Sequence, residues 1–105
     1  MKVIRDGKVA VFVSGGYGAG WTTWSSSEER EFMLYGDERM VELVEADKYE
    51  EAEAYARSVV GDDVYLGGID GLYVEWVNVG TKFFIDEYDG AESLVAIDDI
   101  NWSVA

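Results

Sequence analysis

The chain of 105 residues has no cysteine, no histidine and no proline, and it sets only 8 lysines and arginines against 22 aspartates and glutamates. Without cysteine there is no disulfide framework, no thiolate metal site and no thiol nucleophile, and thiol usage says nothing about the redox compartment. Without histidine the commonest general base near neutral pH and the commonest zinc ligand are gone, together with every Ser-His arrangement. Without proline there is no proline-rich linker, and no internal repeat breaks the chain into units. Long apolar runs are also missing. Residues Met1 to Lys8 carry charge every few positions, and Val9-Ala10-Val11-Phe12-Val13 is too short for a signal-peptide core or a membrane span. The expectation is a chain that stays in the cytoplasm and neither enters nor binds a membrane.

What is present suits one globular domain over residues 1–105. Hydrophobic residues make up 49% of the chain, and four Trp, seven Tyr and four Phe supply bulky core material. The formal net charge is −14, beyond the magnitude of about 2–8 that solubility asks of a small domain. That charge is uneven. Residues 1–27 hold three basic groups against one acid, whereas residues 28–105 hold five against 21, a balance of −16. Such a field repels nucleic-acid phosphates and anionic membranes and draws in basic protein surfaces. The expected partner is a basic protein, with no direct nucleic-acid binding.

Two β-rich runs, Lys2 to Arg5 and Lys8 to Val13, flank Asp6-Gly7, a strong hairpin signal. Ser14-Gly15-Gly16-Tyr17-Gly18-Ala19-Gly20 reads as a loop leading into Trp21-Thr22-Thr23-Trp24. Ser25-Ser26-Ser27 before Glu28 to Glu31 resembles a helix start, and Phe32 to Tyr35 is either a short helix or an extended piece ending at Gly36. Asp37 and Asp47 each read as the N-cap of a helix, over roughly 38–45 and 48–60. After Asp62 the texture changes to β-branched and aromatic runs broken by glycine: 64–66, 72–77, 81–88 and 93–97, with 101–104 as a further short strand. The expected architecture is α+β: an N-terminal β-hairpin and two central helices packed on one antiparallel β-sheet.

Candidate sites follow from residue chemistry. The glycine-rich segment follows a strand, as phosphate-cradling loops do. It lacks the Gly-Lys-Ser/Thr ending of a P-loop, and its Gly16-x-Gly18-x-Gly20 spacing is one residue short of the dinucleotide fingerprint. It reads either as a connection that folds Tyr17, Trp21 and Trp24 back on the core or as a ligand loop. In the second reading Ser14, Tyr17, Gly18, Gly20, Trp21, Thr22, Thr23 and Trp24 offer backbone N–H groups, hydroxyls and aromatic faces to a small molecule. Asp86-x-Tyr88-x-Gly90-x-Glu92 is only part of a calcium loop, and carboxylates decorating a hairpin turn explain it without a metal. Glu75 and Glu87 as a glycosidase pair have nothing in their spacing to single them out. No catalytic residue, metal or cofactor is therefore expected. The helical carboxylates Glu38, Glu42, Glu45, Glu50, Glu51 and Glu53, with Asp47 beside them, read as a solvated face or as an acidic patch that docks on a basic groove.

The segments Val11 to Trp24, Val74 to Val77 and Gly80 to Ser93, above all the Gly-Tyr-Gly-Ala-Gly-Trp loop and the Glu-Tyr-Asp-Gly turn, resemble short acidic proteins of unknown role encoded by bacteriophages and prophages. Some of these have proline where this chain has Gly15. The resemblance covers most of the chain and implies a host-takeover role: an inhibitor of host defence such as an anti-CRISPR protein or a nucleic-acid mimic, or a nucleotide sponge. The leading expectation is a non-enzymatic inhibitor of a host defence system, acting on a basic host protein through the acidic helices. The alternative is a small-molecule binder or nucleotide sponge using loop 14–24. Tryptophans exposed in that loop would also offer a self-interface, so homo-oligomerisation stays open.

Overall fold

A computed structural model describes residues 2–16, 20–23, 25, 28–88 and 91–97. The architecture is α+β, with three helices and two antiparallel sheets among the described residues. Strand β1 (Ile4–Arg5) and strand β2 (Lys8–Ser14) form the expected N-terminal hairpin. Both turn residues, Asp6 and Gly7, have positive φ (52° and 75°), as a two-residue turn matching the strand twist requires.

Strand β2 is the middle of its sheet. It pairs antiparallel with β1 on one side and with β3 (Leu72–Asn78) on the other, in the register Ser14↔Leu72 through Lys8↔Asn78. Its residues Ala10 to Ser14 are all buried, so its apolar run is continuous, as a strand covered on both faces demands. Alternation along the strand sorts these side chains. Ala10 and Phe12 enter the large core cluster with Trp21, Met33, Met40, Val41, Leu43 and Val44. Val11 and Val13 form a second cluster with Val77, against which Phe83, Ile85 and Leu94 pack.

Residues 28–60 form helices α1 (Arg30–Tyr35), α2 (Glu38–Glu45) and α3 (Tyr49–Val60). The run Phe32 to Tyr35 is thus helical, with Met33 buried beneath it. Asp37 caps α2 as expected: its side chain accepts from the Met40 amide at 2.9 Å. Its other oxygen accepts from the Tyr55 hydroxyl, a bond that ties α3 to the start of α2 and, with partial burial, holds the Tyr55 phenol above its ordinary pKa. Asp47 is not the cap of α3. It closes α2 instead, at φ 58°, with Asp47 N–H bonded to Val44 O and Lys48 N–H to Leu43 O. Those two bonds form a Schellman motif, in which aspartate takes the left-handed position usually held by glycine. The predicted serine start of α1 does not hold either: its N-cap is Glu29, without a side-chain bond, and Ser26 and Ser27 lie outside the described residues.

Two further expectations are corrected. Residues 64–66 form no strand. Leu66, Ile69 and Leu72 are buried at intervals of three, which suits the single 3-10 turn Gly67–Gly71 between them. The strands after residue 70 also do not build one sheet. Val79 and Gly80 (φ 89°) reverse the chain, and β4 (Phe83–Tyr88) and β5 (Ala91–Ala96) pair only with each other among the described residues. Their hairpin attaches to the body through side chains, not through a shared ladder. The expected strand at 101–104 lies outside the described residues.

Gly36, between α1 and α2, has φ 61° and ψ −147°, a region open essentially to glycine alone. A Cβ there would run into the Phe12 ring and come within 3.2 Å of Met40 Cβ, both fully buried. Gly36→Ala should therefore lower the unfolding free energy by about 2–4 kcal/mol. Gly80→Ala, at positive φ but with open space around it, should cost only about 1 kcal/mol. Urea unfolding of the two variants distinguishes the cases.

Candidate functional site

The end of β2, the segment 20–23 and β5 converge on one carboxylate. Glu92 lies on the same strand face as Leu94, two residues on, and is only 4% exposed. Its Oε1 accepts from the Ser14 amide at 3.0 Å. Its Oε2 accepts from the Trp21 amide at 3.0 Å, the Thr23 amide at 2.9 Å and the Thr23 hydroxyl at 2.5 Å. A buried carboxylate is costly unless its oxygens are satisfied, and hydrogen bonds to an ionised acceptor are among the strongest that proteins make. Among the described residues the donors are three backbone amides and one hydroxyl, with no cation.

Neighbouring bonds fix the cradle. Ser14 Oγ donates to Gly68 O at 3.0 Å, and the Trp21 indole N–H donates to Met33 O at 2.6 Å. Thr22 O accepts from the Ser25 amide (3.1 Å) and the Ser25 hydroxyl (2.6 Å). The 3-10 turn sits hard against this segment: a Cβ on Gly68 would collide with the Gly20 carbonyl, so only glycine allows the approach. Thr22 Oγ1 is buried without a partner among the described residues.

This arrangement revises the ligand-loop expectation. Ser14, Gly20, Trp21 and Thr22 are buried and Thr23 is half-buried; Tyr17, Gly18 and Trp24 lie outside the described residues. Trp21, at 1% exposure, is core and offers no stacking face to a ligand. The amides of Ser14, Trp21 and Thr23 already serve Glu92, so they are not free donors. Glu92 itself is not a decoration of the turn, and an oxygen pair surrounded by N–H and O–H donors is a poor cation ligand. Among the described residues no group of three or more carboxylates is placed to hold a metal ion. Glu75 and Glu87 lie in different sheets, Glu75 opposite Val11 and Glu87 opposite Glu92.

The acidic helical surface has a different character. Glu38, Glu42, Glu45, Glu50 and Glu51 are exposed and Glu53 is half-buried. Glu38 and Glu45, two turns apart on α2, converge on Arg5 of β1 at 2.6 and 3.0 Å. The guanidinium also lies 5.2 Å from the Trp76 ring centre, and the two carboxylate hydrogen bonds hold it above its ordinary pKa. This bridge was not foreseen from sequence; only the placement of a cation on a short hairpin arm hinted at it. The other four carboxylates have no ion-pair partner among the described residues. No described helix is long and apolar enough to cross a membrane.

Comparison with protein families, with curated proteins and with solved structures finds no match to the chain in any of the three.

The carboxylate cradle predicts a clear mutational asymmetry. Glu92→Gln, nearly the same shape, replaces a charged four-donor acceptor by an amide with one acceptor oxygen and should cost about 2–4 kcal/mol of stability. Asp86→Asn on the exposed neighbouring strand should stay within about 0.5 kcal/mol of the parent in the same denaturant titration.

Proposed function

We propose that the chain is a non-catalytic inhibitor of phage type, acting against a host defence system by binding a basic host protein through the acidic surface of α2 and α3. The observation that carries this reading is the uncompensated charge: among the described residues only Glu38 and Glu45 of the six helical carboxylates meet a cation, and both share Arg5. Glu42, Glu50 and Glu51 stand exposed without one, on a stretch whose balance is −16. An array of fixed carboxylates presented to solvent is complementary to a groove lined with lysine and arginine, where it would take the place of a nucleic-acid backbone.

The phage setting, the anti-CRISPR-like or nucleic-acid-mimicking role and the host cytoplasm as the place of action rest on the resemblance of the Gly-Tyr-Gly-Ala-Gly-Trp and Glu-Tyr-Asp-Gly segments. The small-molecule reading loses three of the donors of loop 14–24, the amides of Ser14, Trp21 and Thr23, which bond to Glu92.

The test is salt dependence combined with charge reversal. Association with the basic protein that the chain retains from a host lysate should slow by about tenfold or more between roughly 0.05 and 0.5 M salt. The triple substitution Glu42→Lys, Glu50→Lys, Glu51→Lys should weaken binding by a similar factor while thermal unfolding stays cooperative. Affinity that ignores both salt and charge reversal would refute the proposal.

A further inference from the structure

The donors around Glu92 have the makings of an anion site in their own right. Three backbone amides and a hydroxyl converge on two oxygens, and two of the amides belong to Ser14 and Trp21, which are 0% and 1% exposed. Convergent peptide N–H groups of this kind form a concavity that favours a negative charge, and leaving them empty in a water-poor interior is costly. The anion arrives from far away in sequence: 78 residues separate Glu92 from Ser14 and 71 separate it from Trp21. It also arrives from a hairpin that shares no ladder with the sheet it docks on, among the described residues. Among the described residues the Glu92 carboxylate is what these donors meet.

We propose that the backbone at Ser14, Trp21 and Thr23 is a carboxylate-binding site occupied in cis by Glu92, so that a free small carboxylate can take the place of the side chain once it is removed. The occupant, not the covalent tether, then fixes Ser14 and residues 20–23 in place. Tethering keeps the local carboxylate concentration high, so external anions do not compete in the native chain. The site selects a planar two-oxygen anion because one oxygen faces the Ser14 amide and the other faces the three donors of Trp21 and Thr23.

The test is chemical rescue. Glu92→Ala removes a fragment isosteric with acetate, and Glu92→Gly removes one isosteric with propionate. Thermal unfolding is followed in sodium acetate, in sodium chloride of equal ionic strength and in neutral acetamide. Acetate should raise the melting temperature of Glu92→Ala by roughly 5–10 °C at tenfold over its midpoint concentration and further with the logarithm of concentration. Chloride and acetamide should not do so, and acetate should leave the parent chain and Glu92→Gln unmoved. If Glu92→Ala does not fold alone, recovery of the native circular dichroism in acetate becomes the readout, with Glu92→Gly in propionate as the second case. The proposal is overturned if acetate acts equally on all chains, or if neither variant responds to its matching carboxylate.

Discussion

The Glu92 carboxylate is the contact on which the rest of the structure depends. It is drawn out of water at the point where the three-stranded sheet, the segment 20–23 and the β4–β5 hairpin meet, and it binds donors from two of these three parts while belonging to the third. A buried charge without a counter-ion survives only when fixed dipoles replace its hydration, and the four donors do that here. Each such bond is worth about 1.5–3 kcal/mol when the acceptor is charged, against a desolvation cost of several kcal/mol, so losing even one donor shifts the balance. The apolar cluster of Val11, Val13 and Val77 holds the hairpin by area, and Glu92 ties it to Ser14, Trp21 and Thr23.

That use of a carboxylate separates two populations of acid in a chain that carries 22 of them. Among the described residues Glu92 is the one buried acid, and its role is structural. The other described acids all stand at least partly in solvent, where like charges repel and the fold gains nothing from their crowding. Arg5 relieves part of that repulsion by bridging Glu38 and Glu45 across two turns of α2, although exposed pairs of this kind add little stability. The residual field over α2 and α3 is what the binding reading draws upon, and its long reach makes ionic strength the natural probe.

Local chemistry made several elements legible in the sequence. Asp6-Gly7 announced its turn because two successive positive φ values suit few other pairs, and Asp37 announced α2 because its side chain meets the orphan amide of Met40. The elements that escaped were those decided by contacts distant in sequence or by competing local motifs. Asp47 has a cap residue's chemistry but is taken by the reversal after α2, and Leu66 looked like strand although its burial runs in threes through Ile69 and Leu72. Splitting of the sheet could not be read, because nothing in residues 72–97 says whether β4 continues the ladder of β3. Glu92 was the largest surprise. The expected strand began at residue 93 and left Glu92 in the turn, and the donors that make a glutamate tolerable there lie about 70 residues away. The same contact takes up the amides of Ser14, Trp21 and Thr23, three of the groups that composition had offered to a ligand in loop 14–24.

Amide hydrogen exchange tests the central role of Glu92 most directly, since it reports on the donors themselves. In the parent chain the amides of Ser14, Trp21 and Thr23 should exchange as slowly as those of the central strand β2, and in Glu92→Gln at least about tenfold faster while the Met40 amide, capped by Asp37, is unchanged. Rapid exchange of all three amides in the parent, or equal protection in both chains, would contradict the account.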